Sequence, residues 1–166
     1  MKPAPFAYAR AGSLDDALAL LADHGDDARI LAGGQSLMAT LNMRLSAPEI
    51  LVDINHIDGL SGFEDTGDAL RIGAMTRHVD VEESDLVTEH APLIAAAMEH
   101  IAHPAIRNRG TFGGSIAFAD PAAELPACAV ALGATMHIAG QGGTRDVAAS
   151  DFFAGLYETA IQTGEI

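Results

Sequence analysis

A single cysteine, Cys128, leaves this 166-residue chain unable to close an internal disulfide and without the thiolates an iron–sulfur cluster requires. That scarcity fits a reducing compartment, and a cytoplasmic location is expected. Basic residues are also few. The 9 Lys+Arg face 23 Asp+Glu, giving a formal charge of −14 at pH 7 and a pI near 4.6. Such a chain repels nucleic-acid backbones and anionic membranes at long range, so neither is an expected partner. No apolar run is long enough to span a bilayer. Met1-Lys2-Pro3-Ala4-Pro5 lacks the apolar core of a secretory signal. No lysine completes a Gly-x-x-x-x-Gly-Lys-Ser/Thr phosphate loop, and the glycine-rich segments do not match Gly-x-Gly-x-x-Gly. The 7 histidines form no His-x-x-x-His or Glu-partnered pattern, so no metal site is expected.

What is present is apolar sequence punctuated by glycine. With 49% apolar residues the chain can bury a core, as one domain or two small lobes. Two segments stand out, Ala32-Gly33-Gly34-Gln35-Ser36 and Thr111-Phe112-Gly113-Gly114-Ser115. Both read as loops. Glycine can take positive φ and aim successive N–H groups into one concavity, and the hydroxyl that follows adds a donor. Main-chain donors need no net positive charge to hold a phosphate, so the acidity of the chain does not oppose this. Two such loops predict a pair of clamps on one ligand with two phosphates, such as a dinucleotide.

Ser13 and Asp16 mark a helix start, and Leu14, Leu18 and Leu21 share a face with Ala17 beside them, up to Gly25. Ala28 to Leu31 reads as a buried strand, Ser36 to about Leu45 as a helix, and Ile50 to Ile54 as a second strand. Leu60 to Glu64 and Ala69 to Ala74 read as an antiparallel pair around Thr66-Gly67-Asp68, with Thr76 capping a short helix. Ala91 to Ile101 is helical, and Pro104 stops it. Asp120 and Pro121 open a helix running to about Leu132. Thr135 to Ala139 and Arg145 to Val147 form strands around a glycine-rich turn, and Asp151 to Leu156 is a helical turn. Met38, Met43 and Met98 are expected core fillers, and Cys128 a small buried residue. The expected class is α+β. A small α/β lobe spans residues 1–57, and a larger lobe of antiparallel sheet and helices spans 58–166. Glu158 to Ile166 reads as the approach to a further strand, so a C-terminal domain beyond this chain is expected.

The segment Ile30-Leu31-Ala32-Gly33-Gly34-Gln35-Ser36-Leu37, with Arg44, Pro48 and Leu51-Val52-Asp53-Ile54 downstream, resembles the first FAD segment of the molybdenum hydroxylase flavoprotein subunits. Ile106-Arg107-Asn108-Arg109-Gly110-Thr111-Phe112-Gly113-Gly114-Ser115-Ile116-Ala117, followed by Asp120-Pro121-Ala122-Ala123-Glu124-Leu125-Pro126, resembles the second. These are the medium subunits of enzymes such as aerobic carbon monoxide dehydrogenase, quinoline 2-oxidoreductase and bacterial xanthine dehydrogenase. The resemblance covers essentially the whole chain. It implies a two-lobed FAD-binding domain followed by a C-terminal domain. It also implies two partners, a large subunit with a molybdenum cofactor and a small subunit with iron–sulfur clusters. The medium subunit then takes electrons from the clusters onto FAD and passes them to an external acceptor.

Residue by residue, the resemblance places Ile30, Leu31, Ala32, Gly33, Gly34, Gln35, Ser36 and Leu37 around the FAD pyrophosphate and the adjoining flavin edge. Thr111, Gly113, Gly114 and Ser115 take the other side of the diphosphate, with Ala117 in the same segment. Glu124 stands where the family has an acid for the ribityl hydroxyls, and Ile101 and Ile161 supply apolar contacts. The FAD is expected to be non-covalent, because Gln35 stands where a linking histidine would be. The flavin is the redox group, so no catalytic acid, base or nucleophile is assigned. From the residues alone, Asp120 reads as a helix cap and Glu124 as a solvated acid, and Arg107 and Arg109 suit a surface or subunit contact as well as a phosphate. Two other functions fit the same glycine segments: a stand-alone FAD oxidase and a non-redox nucleotide-binding module.

Overall fold

The computed structural model describes residues 2–166. Its chain contacts divide it into two units, described in turn: residues 2–58, 137–146 and 161–166, and residues 59–136 and 147–160.

Parallel pairing organises the first unit. β1 (Ala7–Arg10), β2 (Ala28–Leu31) and β3 (Ile50–Asp53) form a sheet in the order β1-β3-β2, with both outer strands parallel to β3. All four residues of the central strand are buried, as a strand covered on both faces requires, and it accordingly carries Ile50, Leu51 and Val52 in succession. β1 has mostly exposed residues and no alternating apolar signal, and the sequence pattern does not single it out. α1 (Leu14–His24) begins where Ser13 Oγ accepts from the Asp16 N–H at 3.1 Å and ends at Gly25. Its Ala17, Leu18 and Leu21 are buried, as their spacing predicts.

α2 (Leu37–Asn42) is shorter than the leucine spacing suggests. Arg44 takes a left-handed φ of 59°, Leu45 N–H donates to Thr40 O (2.9 Å) and Arg44 N–H donates to Leu41 O (3.0 Å). That bond pair closes the helix and swings Leu45 out to 74% exposure. Met43 and Met38 are exposed as well, so of the three methionines expected in the core only Met98, in the second unit, is buried. The segment 161–166 is tied into the first unit by Arg145, whose guanidinium meets both Glu165 oxygens at 2.7 and 2.6 Å, and by Thr163 Oγ1, which bonds Asp26.

In the second unit β4 (Phe63–Asp65) and β5 (Leu70–Ile72) pair antiparallel around the predicted turn. Short helices follow: α3 (His78–Glu82), α4 (Asp85–His90), α5 (Pro92–Met98), α6 (Pro104–Arg107), α7 (Phe112–Phe118) and α8 (Glu124–Ala131). β6 (Thr135–Gly140) and β7 (Gly143–Ala148) form the expected hairpin, whose residues are shared between the units. α9 (Ala149–Phe152), β8 (Phe153–Gly155) and β9 (Glu158–Thr159) complete the chain. The core gathers Val81, Val87, Ile94, Met98, Ile116, Leu125 and Phe152. Cys128 is buried among them. Burial, then the negative charge of Glu124 one turn earlier, push its thiol pKa up.

Four local expectations are corrected. Asp151 to Leu156 is not a helical turn: α9 ends at Phe152, and residues 153–155 form β8, which pairs with β9. Thr76 does not cap a helix. It is 1% exposed, and its hydroxyl bonds both Gly62 N (2.9 Å) and Gly62 O (3.1 Å), while Arg77 takes the N-cap of α3. Asp120 does not open α8 either. It accepts from Ala122 N–H at 2.9 Å in a turn, and the helix begins at Glu124. The second glycine segment is not a loop: Gly113 and Gly114 lie in the first turn of α7.

Candidate FAD-binding site

The two glycine segments solve different problems. In the first unit the carboxyl ends of β1, β2 and β3 lie at one edge of the parallel sheet, the edge where open α/β sheets receive ligands. β2 runs from there into residues 32–36. Four successive carbonyls are held from within the unit. Leu31 O accepts from Ile54 N–H (3.2 Å), and Ala32 O accepts from Asn55 Nδ2 (2.8 Å). Gly33 O accepts from Gln35 Nε2 (2.9 Å), and Gly34 O accepts from Met38 N–H (3.1 Å). A trans peptide sets its N–H opposite its carbonyl, so each held carbonyl also fixes the direction of the next N–H. Among the described residues, no acceptor meets the N–H groups of Gly33, Gly34, Gln35, Ser36 and Leu37. Gly34 has φ 72°, the left-handed turn that gathers consecutive donors into a nest. Ser36, the N-cap of α2, makes no capping bond, so its hydroxyl is available too.

In the second unit the chain at residues 109–113 is pinned from one side. Gly113 N–H donates to Ala74 O (2.8 Å), Phe112 N–H to Thr76 O (2.9 Å), and His78 N–H to Gly110 O (3.0 Å). The main-chain donors of Phe112 and Gly113 are therefore spent on structure, against the expectation that both glycine segments aim theirs at a ligand. A Cβ on Gly113 would come within 2.6 Å of Ala74 Cβ and 2.7 Å of its Cα. Packing against residue 74 thus requires glycine at 113. What stays unspent is the pair that normally caps a helix. Thr111, the N-cap of α7, makes no capping bond, its Oγ1 is buried without a partner, and the Gly114 N–H it would ordinarily accept from has no main-chain acceptor. A 3% exposed threonine with an orphaned hydroxyl costs free energy unless something outside the chain bonds it.

His78 supports this segment and was not singled out in the sequence. Its Nε2 lies 3.0 Å from Thr111 O, which only accepts, so Nε2 carries the hydrogen and Nδ1 is bare. Nδ1 has no partner, and a Cβ at Gly110 would sit 2.9 Å from it. Burial, then the bond to Thr111 O and the charges of Arg107 and Glu124, set its pKa, and the net shift is below the ordinary 6.5. Burial and Arg107 lower it, while the carbonyl and Glu124 oppose them. The unfolded chain therefore binds this proton more readily than the folded one. Stability is fully present above pH 6.5 and declines as pH falls from there toward the folded value. Urea unfolding midpoints at pH 8 and pH 5.5 check this: the acid value should be lower, and His78→Gln should reduce the difference.

The remaining sequence-predicted residues fall as follows. Ile30, Leu31, Gln35, Leu37 and Ile161 are half-buried in the first unit. Gly113, Gly114, Ser115 and Glu124 are half-buried in the second, where Ala117 is exposed and Ile101 is buried at 8%. Arg107 is engaged by Glu82 (2.7 Å) and by Ile101 O (2.9 Å), which favours its structural reading over a phosphate contact.

Each unit by itself holds donors of the kind a phosphate takes: the first a run of unpaired main-chain N–H groups, the second an orphaned hydroxyl beside an unpaired N–H. Comparison with known proteins agrees. The chain belongs to the family described as the FAD binding domain in molybdopterin dehydrogenase, whose pattern matches residues 4–166. It is 45% identical over 166 residues to the 6-hydroxypseudooxynicotine dehydrogenase complex subunit alpha of Paenarthrobacter nicotinovorans, covering 100% of this chain and 56% of that protein. It is 42% identical to the carbon monoxide dehydrogenase medium chain of Hydrogenophaga pseudoflava, covering 58% of it. The solved structure of that organism's carbon monoxide dehydrogenase superposes on all of this chain with a TM-score of 0.97, and quinoline 2-oxidoreductase from Pseudomonas putida 86 does so with 0.96 at 42% identity. The chain thus spans a little over half the length of these relatives.

Thr111→Val separates a ligand contact from a packing role. Without FAD the change removes a buried unpaired hydroxyl and is expected to leave stability equal or raise it by about 1 kcal/mol. With FAD it is expected to lower affinity about tenfold, because the ligand loses a hydrogen bond. Thermal unfolding of the free protein and flavin fluorescence titration read the two effects.

Proposed function

We propose that this chain is the FAD-binding part of the electron-transfer subunit of a molybdenum hydroxylase. The observation that carries the reading is the run of unpaired N–H groups at Gly33–Leu37, preset by held carbonyls. Ile30–Leu37 together with Thr111, Gly113, Gly114 and Ser115 would contact the cofactor, with Glu124, Ala117, Ile101 and Ile161 as the further contacts the family resemblance names. Bound FAD supplies the redox chemistry, accepting electrons and releasing them to an acceptor. The protein's share is to bind the diphosphate with main-chain and hydroxyl donors, without a cationic side chain. That division suits a chain with so few basic residues.

The relatives point to the setting. They are subunits or chains of dehydrogenases and hydroxylases, several with names that mark them as one subunit among others. By analogy the partners are a large subunit with the molybdenum cofactor and a small subunit with iron–sulfur clusters, which a chain with one cysteine cannot hold itself. A cytoplasmic location accords with that lone thiol. No helix among the described residues is long and apolar enough to cross a membrane. FAD titration followed by fluorescence quenching tests the core of the reading. Stoichiometric uptake of FAD, with no comparable uptake of ATP, NAD or coenzyme A, is the expected result, and indifference to FAD would refute it.

A further inference from the structure

Nothing in the family resemblance assigns a role to Tyr8 or Asn55, yet they and Asp53 form one hydrogen-bonded unit across the three strands of the first sheet. Asp53 ends the central strand and is 7% exposed. Its Oδ1 accepts from the Asn55 main-chain N–H (2.8 Å) and from Asn55 Nδ2 (2.7 Å), and its Oδ2 accepts from the Tyr8 hydroxyl on β1. Asn55 Nδ2 also reaches the end of β2, at Ala32 O (2.8 Å) and Leu31 O (3.3 Å). These three partners of that amide nitrogen are all acceptors. A flipped amide would set its oxygen against a carboxylate and two carbonyls, so the geometry dictates its orientation. Burial raises the Asp53 pKa, but the Tyr8 hydroxyl and then the Asn55 donors outweigh it, and the carboxyl lies below its ordinary 3.8. The carboxylate is therefore charged at neutral pH, and a charged acceptor makes the Asn55 amide a firmer clamp.

The clamped carbonyl belongs to the Ala32–Gly33 peptide, whose N–H opens the series of unpaired donors from Gly33 to Leu37. We infer that Asn55, held by Asp53 and Tyr8, is the positioning residue that aims the Gly33 N–H, and with it the start of the donor run, at the diphosphate of FAD. The assignment rests on the FAD reading above. Asn55 touches no ligand atom in this scheme. It acts through one peptide plane, and Tyr8 acts through Asp53 and Asn55.

A double-mutant cycle on the purified chain, with FAD affinity as the readout, tests the assignment. Asn55→Leu keeps the side-chain size, removes the clamp and is expected to weaken FAD binding about tenfold. Tyr8→Phe loses only a hydroxyl on a half-exposed ring and is expected to weaken it about threefold. The double variant should bind no worse than Asn55→Leu alone, because Tyr8 has nothing left to act through. A purely structural role would instead lower the melting temperature of the variants and leave the FAD affinity of the folded protein unchanged. Wild-type FAD affinity in Asn55→Leu, or multiplying losses in the pair, overturns the assignment. If Asn55→Leu fails to fold, Tyr8→Phe carries the test by itself: a loss of FAD affinity at unchanged melting temperature supports it, and unchanged affinity overturns it. A wild-type chain that takes up no FAD removes the cofactor reading and this assignment together. A wild-type chain that binds FAD beside an equally competent Asn55→Leu removes the assignment alone.

Discussion

Gly113→Ala is expected to destabilise the protein by about 3 kcal/mol, a large effect for one methyl group. The added carbon would stand 2.6 Å from Ala74 Cβ, 2.7 Å from Ala74 Cα and 2.9 Å from Ala74 O. Two of those atoms are main chain and cannot rotate away. Relief requires the start of α7 to move off residue 74, which breaks the 2.8 Å bond from Gly113 N–H to Ala74 O and strains the neighbouring bond from Phe112 N–H to Thr76 O. Gly142→Ala is the matched control, because nothing lies within 4 Å of its added carbon. Thermal unfolding of the ligand-free proteins should show a drop of many degrees for the first and little change for the second. A Gly113→Ala protein that melts with the wild type would show that residue 113 is glycine for a reason other than this contact.

Gly34→Val is expected to do the reverse: a modest loss of stability with a loss of FAD affinity of about a hundredfold or more. Residue 34 has φ 72°, where a β-branched side chain costs about 1–2 kcal/mol. Its new Cβ would meet Leu31 Cδ1 at 3.2 Å and Met38 Cγ at 3.4 Å, the first the tip of its side chain and the second a carbon partway along a flexible, exposed one, so both can give way. The cheaper escape is for the backbone to leave the left-handed region, and this rotates the peptides that carry the Gly34 and Gln35 N–H groups. The donor run is then scattered while the sheet beneath it survives. Gly34→Asn provides a graded comparison, because asparagine tolerates positive φ, and it should keep most of the affinity that valine loses. Fluorescence titration alongside circular dichroism decides the matter. A folded Gly34→Val protein with wild-type affinity for FAD would show that the turn's conformation does not serve the cofactor.

These two glycines looked equivalent in the sequence, and their difference shows how far reading a sequence reaches. Residues 33–36 follow a short apolar strand and precede a leucine-spaced helix, so a strand–turn–helix with exposed donors followed from local pattern. At Thr111–Ser115 the same residue types form a helical first turn, because residues 74–78, more than thirty positions earlier, supply the acceptors for the Phe112 and Gly113 N–H groups. No local pattern encodes that pairing. The Ser13 cap, the 66–68 turn and the buried leucine face of α1 were legible because each depends on neighbours within four residues. Thr76 was misread for the converse reason: its hydroxyl serves Gly62, fourteen positions away. β1 was silent because an exposed edge strand needs no apolar alternation.

By itself the sequence determined the chemistry available to this protein. One thiol excludes thiolate-held clusters and few cations disfavour a cationic phosphate grip, while paired glycines with hydroxyls point to main-chain donors as the means of holding an anion. The family signature lies in those same residues. The tertiary structure decided which donors remain unspent. A hydrogen bond uses up a donor wherever its acceptor happens to be, and the acceptors at Ala74 and Thr76 are brought to the second segment only by folding. It also revealed Tyr8, Asp53, Asn55 and His78 as the supports of the two segments. Their side chains meet their partners across strands and between elements, at separations a linear pattern does not display.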